Sequence, residues 1–403
     1  MKKRYGARYL LLLLLLLGVL SGCEDEMTPE GENKKGLSSY EAGDYANAAL
    51  YFERALSLDE QKEYRNNYGM TLIQLDRCED AIAQFQMVVT ENPSNASEKR
   101  LNKFAYRGLG IAYLQQQDFD GALANFNRAL ELSVEKDWDV DILFYKANTL
   151  ECMGYPTSAI ENYTAVLEKD DDNASALLAR GSLYREEGEY EKAISDYKKL
   201  LEEDEGSYEA YVGLYACYYE TGEPEKGAEL LADATRLEVK TDEDKYLLGQ
   251  IHFYQGNYES ARIEMENAVL DGYVEANYFL GEIALAGKEY EKALEYYAAY
   301  REQKVTESPT VCNQMAVCYL ALFRYDEAEE MLAVGLNYEG SPAYQKLLRN
   351  QVALYEGRTE YETAYEYLKE YIVKYPDDSD ATNEYRYLKK LLGLDQEAEP
   401  MAP

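Results

Sequence analysis

The sequence has few of the residues on which catalytic and metal sites depend. Among its 403 residues there is one histidine, His252, and the six cysteines include no CxxC pair. A Ser-His-Asp or Cys-His site would have to be built around His252, and an HExxH zinc motif is excluded. The Gly108-Leu109-Gly110 run has too few glycines for a phosphate-binding loop and follows no predicted strand. The composition therefore favours a binding protein over an enzyme and predicts no cofactor and no bound metal.

Basic residues are also scarce. Lysine and arginine number 41 against 76 aspartates and glutamates, which gives a formal net charge of −35. This balance argues against nucleic acid, whose phosphates need lysine and arginine, and against flat binding to anionic lipid. A cationic partner or loosely held divalent ions would suit such a field. Solvation of exposed helix faces explains the same charge without a dedicated partner and is the simpler interpretation.

Long apolar runs are absent except at the start of the chain, where residues 10–20 are nearly all leucine. A basic segment precedes this run and contains Lys2, Lys3, Arg4 and Arg8. The run is too short for a membrane span, which needs about 20 apolar residues. Basic start, apolar run and small residues before Cys23 together predict a secretory signal peptide over residues 1–22.

The ending Leu20-Ser21-Gly22-Cys23 resembles the lipobox of bacterial lipoproteins. In that family the cysteine sulfur is lipidated and the signal is cut just before it. The resemblance implies that Cys23 is the lipidated N-terminus and that acyl chains hold the protein on the extracytoplasmic face of a bacterial cell membrane. A plain secreted protein cut nearby is the alternative. Residues 23–35 are polar and contain Pro29 and Gly31, which predicts a short lipidated tether.

A small residue, in most units followed by an apolar one, recurs through the rest of the chain at intervals near 34 residues. The ten positions are Ala48, Ala81, Ala122, Ala159, Ala193, Gly227, Ala261, Ala293, Ala328 and Ala364. Such a period is typical of stacked helical hairpins, each too small to bury its own apolar face.

The pattern within each unit predicts two amphipathic helices joined by a tight turn. In the fifth unit, apolar or small residues recur three and four apart on both sides of Gly188. Glycines recur at this joint, where a left-handed conformation ends the first helix, namely Gly43, Gly154, Gly188, Gly222 and Gly256. Residues suited to begin the second helix follow, namely the caps Asp44, Asp118 and Asn257 and the first-turn prolines Pro156 and Pro224.

Small and aromatic residues are expected to set the distance between helices. First-helix glycines face the small position of the second helix, namely Gly69, Gly110, Gly181, Gly249 and Gly281. Aromatic residues follow four positions after it and are expected to pack between units, namely Phe52, Phe85, Phe126, Tyr163, Tyr197 and Tyr297. Together these features resemble the tetratricopeptide repeat family over residues 36–376, with the first repeat partial.

The resemblance implies an all-α fold, a right-handed α-solenoid of about ten hairpins over residues 36–378. A capping helix over 379–393 and a polar tail over 394–403 would follow. In this family the first helices line the concave face and bind extended peptides or partner helices. The projection of this sequence onto that face gives Asn66, Asn67, Arg107, Tyr145, Asn148, Arg185, Tyr219, Tyr246, Gln250, Phe253, Tyr254, Tyr278, Glu282, Asn313 and Arg349. The family's Lys, Asn and Arg clamp for C-terminal carboxylates is not found, and for each tyrosine groove contact and core packing both stay open.

Three other groups of residues have a structural interpretation beside a functional one. Cys217 and Cys318 share one position in different repeats, which favours buried small apolar residues over redox or metal roles. His252 lies where other repeats have tyrosine, which favours a buried aromatic-like role. The acidic run 170–173 lacks the glycine and glutamate of an EF-hand, so an inter-repeat turn with a helix cap is favoured over a calcium site.

Three functions follow as hypotheses. The first is a lipid-anchored scaffold for protein or peptide partners of the cell envelope, bound through the concave surface. The second is binding of carbohydrate or cell-wall polymer by exposed tyrosines, whose rings would stack on sugar faces. The third is a hydrolase with an unrecognised site, which has the least support because 76 acidic residues make any carboxylate pair found in the sequence uninformative.

Overall fold

The computed structural model of the protein describes residues 28–303 and 307–394. In this part of the chain the secondary structure is helical throughout, with 21 α-helices and one short 3-10 turn at Lys136–Trp138. The chain divides into two compact units, one ending at Ala176 and one beginning at Leu177. The expected all-α fold is confirmed.

The helices of the first unit are α1 (Pro29–Glu41), α2 (Tyr45–Leu58), α3 (Lys62–Gln74), α4 (Cys78–Val88), α5 (Ala96–Gln115), α6 (Phe119–Glu131), α7 (Asp139–Cys152) and α8 (Pro156–Leu167), and α9 (Ala174–Glu186) contains the boundary. Those of the second unit are α10 (Tyr190–Glu203), α11 (Tyr208–Glu220), α12 (Pro224–Ala234), α13 (Asp242–Tyr254), α14 (Tyr258–Leu270), α15 (Ala276–Ala286), α16 (Tyr290–Glu302), α17 (Pro309–Ala321), α18 (Tyr325–Gly335), α19 (Tyr344–Gly357), α20 (Tyr361–Lys374) and α21 (Ser379–Leu391).

Each odd-numbered helix up to α19 forms a hairpin with the helix that follows it, so the described residues contain the ten hairpins that the period predicted. Within each unit the second helix of one hairpin packs on the first helix of the next, as α4 does on α5 and α14 on α15. Consecutive first helices also contact one another, among them α3 with α5 and α11 with α13. We call the face that they form within a unit the first-helix surface.

All ten hairpins turn through one residue in the left-handed conformation. Five of these are the expected glycines, with φ between 74° and 77°. The other five are Asp76, Gln117, Lys288, Phe323 and Thr359, with φ between 58° and 63°. At every joint the next backbone N–H donates to a carbonyl five residues back, as from Arg324 to Tyr319 at 2.9 Å. Hairpin packing therefore imposes the left-handed conformation even at non-glycine residues, for which this conformation costs about 1–2 kcal/mol.

The caps agree with the sequence at all but one position. Asp44 and Asp118 accept hydrogen bonds from the backbone N–H three residues on, at 3.2 and 3.0 Å. Pro156 and Pro224 occupy the first turns of α8 and α12. Asn257 lies at the N-cap of α14, but its side chain makes no capping hydrogen bond. The cap predicted from Asn257 is therefore wrong in its side-chain contact, and the backbone turn alone begins that helix.

Glycine and aromatic side chains fit together as predicted. A Cβ atom on Gly110 would lie 2.4 Å from the ring of Phe126, and one on Gly281 would lie 2.4 Å from the ring of Tyr297. The same rings fill the space between hairpins, since Phe85 approaches both Gly69 in its own hairpin and Gly108 in the next. Because glycine has no side chain, an aromatic ring fits against the first helix and packs on two neighbouring repeats.

The tether prediction is wrong for residues 29–35, which form the start of α1. Thr28 caps this helix by accepting from Gly31 N–H at 3.1 Å, and Pro29 occupies its first turn. Glu32 is buried and contacts Lys35 at 3.0 Å, so this polar side chain is part of the packing, whereas Glu30 and Lys34 are exposed. The first hairpin is therefore complete, not partial.

At the other end of the described chain, α21 matches the expected capping helix. The predicted signal peptide, Cys23 and residues 395–403 lie outside the described residues. Among the helices that the structure describes, none has the length and apolar character that a membrane crossing requires.

Candidate binding surface on the first helices

Several residues projected onto the binding face bridge neighbouring first helices in the first unit. Asn67 Nδ2 donates to Asn33 Oδ1 at 3.0 Å, which joins α3 to α1. Asn66 Nδ2 donates to the carbonyl of Leu101 at 3.2 Å, and its Oδ1 is shielded without a hydrogen-bond partner among the described residues. Asn148 is buried and accepts from the Cys152 thiol at 3.5 Å.

Arg107 is the enclosed cation among the projected residues of the first unit, with 7% of its surface exposed. Its Nε binds Asp141 one repeat further on. Burial lowers the pKa of Arg107, but the Asp141 carboxylate outweighs this effect and the net pKa is raised. Burial raises the pKa of the flanking Tyr40 and Tyr145 to about 12. This cluster is therefore a closed internal contact, not an open binding position.

The last repeats of the second unit are joined in the same way. Gln314 Nε2 donates to both carboxylate oxygens of Glu282 at 2.8 and 3.0 Å. Asn350 Nδ2 donates to Asn313 Oδ1 at 2.8 Å. Arg349 Nη2 binds Glu384 at 2.5 Å. The partners in these bridges are 32 to 37 residues apart, so each joins one repeat to the next.

Aromatic side chains take over this role on the central first helices of the second unit. We call Tyr219, Phe253, Tyr254 and Tyr278, on α11, α13 and α15, the tyrosine surface. Phe253 meets the ring of Phe279 with centroids 5.3 Å apart, and Tyr278 meets the same ring at 5.5 Å. Tyr219 has 62% of its surface exposed, whereas the other three are partly buried.

The buried aromatic neighbours extend beneath this surface. Tyr254 packs on Tyr215 with centroids 4.7 Å apart, and Tyr246 stacks on Tyr273 at 5.0 Å. Gln250, also projected onto the face, is buried beside Tyr246. Sequence reasoning did not single out Tyr215 as a contact residue, although its place one turn before Tyr219 on α11 is a helical spacing that could have indicated it.

The hydroxyl groups of the tyrosine surface are available as hydrogen-bond donors. Among the described residues, those of Tyr219, Tyr254 and Tyr278 have no hydrogen-bond partner. Burial raises the pKa of Tyr254 to about 12, and burial together with the Glu282 carboxylate raises the pKa of Tyr278. The hydroxyls of Tyr254 and Tyr278 therefore stay protonated at neutral pH, next to rings that offer apolar contact area.

Arg185 lies at one end of the tyrosine surface, on α9. It is in electrostatic reach of Tyr254 and Tyr197. Burial lowers the pKa of Arg185, but the Tyr197 hydroxyl raises it and the net pKa is raised. Its Nε is shielded from solvent and has no hydrogen-bond partner in residues 28–303 and 307–394. The surface therefore combines apolar rings, free hydroxyls and one cation.

The remaining sequence candidates have structural positions. Cys217 and Cys318 are fully buried, which confirms the prediction of small core residues. Asn173 accepts from Ala176 N–H at 3.0 Å and caps α9, as expected for an inter-repeat turn. His252 is partly buried, with its Nδ1 shielded and without a hydrogen-bond partner in the described chain. The described residues contain no group of three or more His, Cys, Asp or Glu side chains placed to hold a metal ion.

Two proteins of known structure and one of known sequence show what this chain is similar to. The APC/C hetero-tetramer Cut9–Hcn1 matches with 15% identity and a TM-score of 0.49, over 89% of this chain and 90% of that chain. A tetratricopeptide repeat protein from Parabacteroides merdae matches with 19% identity and a TM-score of 0.49, over 64% of this chain and 98% of that chain. The human protein O-mannosyl-transferase TMTC1 is 25% identical over 157 residues, which span 38% of this chain and 17% of that protein.

Models of the tetratricopeptide repeat match along most of the chain. One matches residues 33–96, 146–210 and 246–306, a second matches 184–251, and a third matches 104–133. Together they cover more than half of the sequence, and the matched segments fall on the first eight of the hairpins described above. By its repeats, its hairpin joints and its helix packing, this chain belongs to the tetratricopeptide repeat family.

Proposed function

We propose that this protein is a lipid-anchored, extracytoplasmic scaffold that holds protein partners of the cell envelope on its first helices. The observation that carries the proposal is the tyrosine surface, where three hydroxyls without partners lie among apolar rings on three consecutive first helices. Tyrosine gives a large contact area at low conformational cost together with a hydrogen-bond donor, which suits a stoichiometric interface. Contacts along a repeat array add up, so moderate binding per repeat is sufficient.

Partial burial of the rings supports a protein ligand over a glycan. A sugar stacks on the flat face of an exposed aromatic ring. Phe253 and Tyr278 instead use ring edges or faces against Phe279, and Tyr219 is the exposed member of the surface. An extended peptide can insert side chains between such rings and pair with the free hydroxyls.

Affinity capture tests the scaffold role. The bait is residues 24–403, used on an envelope extract of the source cell at low and high salt, with mass spectrometry as the readout. A matched bait carries Tyr219→Ala and Tyr278→Ala. We expect a small set of proteins in stoichiometric amount that is retained by the first bait and lost from the second. Retention of glycan or wall polymer without protein would instead support the carbohydrate-binding alternative.

Anchoring rests on the lipobox-like residues before Cys23 and has its own test. We expect the full chain, expressed in a bacterium, to incorporate a labelled fatty acid and to fractionate with membranes. Cys23→Ser should abolish both properties, because the acylated sulfur is lost. Equal labelling of the two forms, or a wild-type protein found in the soluble fraction, would overturn the anchor.

A further inference from the structure

Arg185 differs from the other partly buried arginines of the second unit. Arg180 holds Asp196 through two nitrogens at 2.8 and 2.7 Å, and Arg301 holds Glu307 at 2.9 and 2.7 Å. Arg185 takes part in none of the ion pairs formed by the described residues. Its guanidinium lies beside the Tyr197 hydroxyl, but its Nε has no acceptor there. A shielded guanidinium N–H without an acceptor is costly, so this position favours an anion supplied by a ligand.

The repeat places Arg185 in a row with two aromatic residues. Arg185, Tyr219 and Phe253 are separated by 34 residues each, and they lie on α9, α11 and α13. Packed helices lie about 8–10 Å apart, and an extended chain rises about 3.3 Å per residue. A peptide that crosses these helices therefore moves from one repeat to the next in about three residues.

We propose that this row binds an extended peptide in which an aspartate or glutamate side chain pairs with Arg185. An aromatic side chain about three residues away packs against Tyr219 and Phe253. The inference rests on the proposed function and names the chemistry of its partner. The free hydroxyl of Tyr254, within electrostatic reach of Arg185, supplies a second donor for the carboxylate.

Local and overall charge act in opposite directions in this contact. The chain carries a formal charge of −35, which repels an acidic peptide at long range. Salt screens that repulsion, whereas it weakens a partly buried ion pair much less. Binding of the acidic segment should therefore persist or strengthen as salt rises from about 50 to 300 mM, while a basic ligand held by the overall charge would be released.

Selection from a random peptide display library tests the occupant on the purified full chain. We expect enriched sequences to carry an acidic residue with an aromatic residue about three positions away. The same selection on Arg185→Gln should lose the acidic residue and keep the aromatic one. Enrichment of basic residues, or the same acidic preference in the variant, would overturn the proposal.

One enriched peptide then gives the energetic test. With both ends blocked, its glutamate form should bind about tenfold more tightly than its glutamine form by calorimetry, as a charge-assisted hydrogen bond implies. The ratio should approach one in Arg185→Gln and stay unchanged in Arg236→Gln, an exposed arginine on the loop after α12. Blocked ends exclude a terminal carboxylate as the source of the difference.

Tyr219→Ala is a variant that should fold normally, because this side chain is 62% exposed. A loss of affinity in it therefore cannot be attributed to unfolding. Its melting curve should match the wild type while affinity for both peptide forms falls about equally. If peptide affinity depends on Tyr219 but not on Arg185, the proposal of an acidic partner is wrong, while the proposed scaffold function is not contradicted. Failure to enrich any peptide sequence would count against both.

Discussion

At the scale of single residues, the distance between the two helices of several hairpins depends on a glycine that faces an aromatic ring. Gly110 and Phe126 are the clearest pair, since a Cβ on Gly110 would lie 2.4 Å from the ring. Phe126 is fully buried and has no room to move away. We expect Gly110→Ala to lower the free energy of unfolding by about 1–3 kcal/mol through overpacking. Chemical denaturation followed by circular dichroism measures this.

The control is Gly340→Ala. No heavy atom lies within 4 Å of a Cβ built at Gly340, and its φ is not in the left-handed region. Alanine should therefore be tolerated there with little change. Similar losses in the two variants would mean that backbone flexibility, and not ring contact, sets the effect of Gly110.

At the scale of elements, a buried lysine ties α5 to the segment before α7. Lys103 is 0% exposed, and its Nζ donates to Val134 and Leu132 carbonyls at 2.7 and 3.3 Å and to Asp139 at 2.6 Å. The carbonyls follow the end of α6, where the helix dipole favours a cation. We expect Lys103→Met to lower the free energy of unfolding by about 3 kcal/mol, because it removes the cation that pairs with the Asp139 carboxylate and the Val134 carbonyl.

Lys99→Met is the matched control, since Lys99 is on the same helix and exposed. It should change the unfolding midpoint little. Native-state hydrogen exchange adds a local readout, because the Lys103 variant should expose residues 132–139 before the rest of the unit. An unchanged midpoint in the Lys103 variant would contradict the structural role of this lysine.

The contact of α21 with α19 titrates. Burial and the neighbouring Glu384 carboxylate raise the pKa of Glu356 from 4.5 to about 7, against the lowering effect of Arg349. A raised pKa means that the folded state favours the protonated carboxyl, so this stabilising contribution is complete below about pH 4.5 and is lost as the pH rises through 7. We expect Glu356→Gln to melt increasingly above the wild type as the pH goes from 5 to 8.

Glu362→Gln, an exposed position on α20, serves as the control for that experiment. Its melting temperature should differ from the wild type by the same small amount at each pH. A Glu356→Gln difference that is constant between pH 5 and 8 would show that the pair with Glu384 and Arg349 does not titrate in this range.

At the scale of the whole molecule, the excess of acidic residues costs stability through self-repulsion. The formal charge of the sequence is −35, and a net charge this far from zero repels itself in a compact state. We expect the melting temperature to rise as sodium chloride increases from about 20 to 300 mM, since screening weakens this repulsion. Sucrose at matched osmolality is the control for general solute effects. A melting temperature that falls with salt would mean that the ion pairs outweigh the repulsion.

Much of this fold could be predicted from the sequence because the same local sequence signals recur in each repeat. The glycines at five joints, the prolines of α8 and α12 and the aromatic plugs all act within one hairpin or on the next. Phe323 and Thr359 could not be assigned to the left-handed turn, since their residue types disfavour it and only hairpin packing imposes it. The start of α1 was missed because a polar composition conceals burial of Glu32.

The sequence by itself determined the repeat, its helical hairpins and which segments form the first helices, because a period of about 34 residues and the helical spacing within it are local properties. Only the tertiary structure decided which residues of those helices are free to bind. The sequence projects both Arg107 and Arg185 onto the binding face, yet Arg107 meets Asp141 and Arg185 forms no ion pair with a carboxylate in the described chain. That difference depends on which side chain the next repeat presents, and packing alone brings the two together.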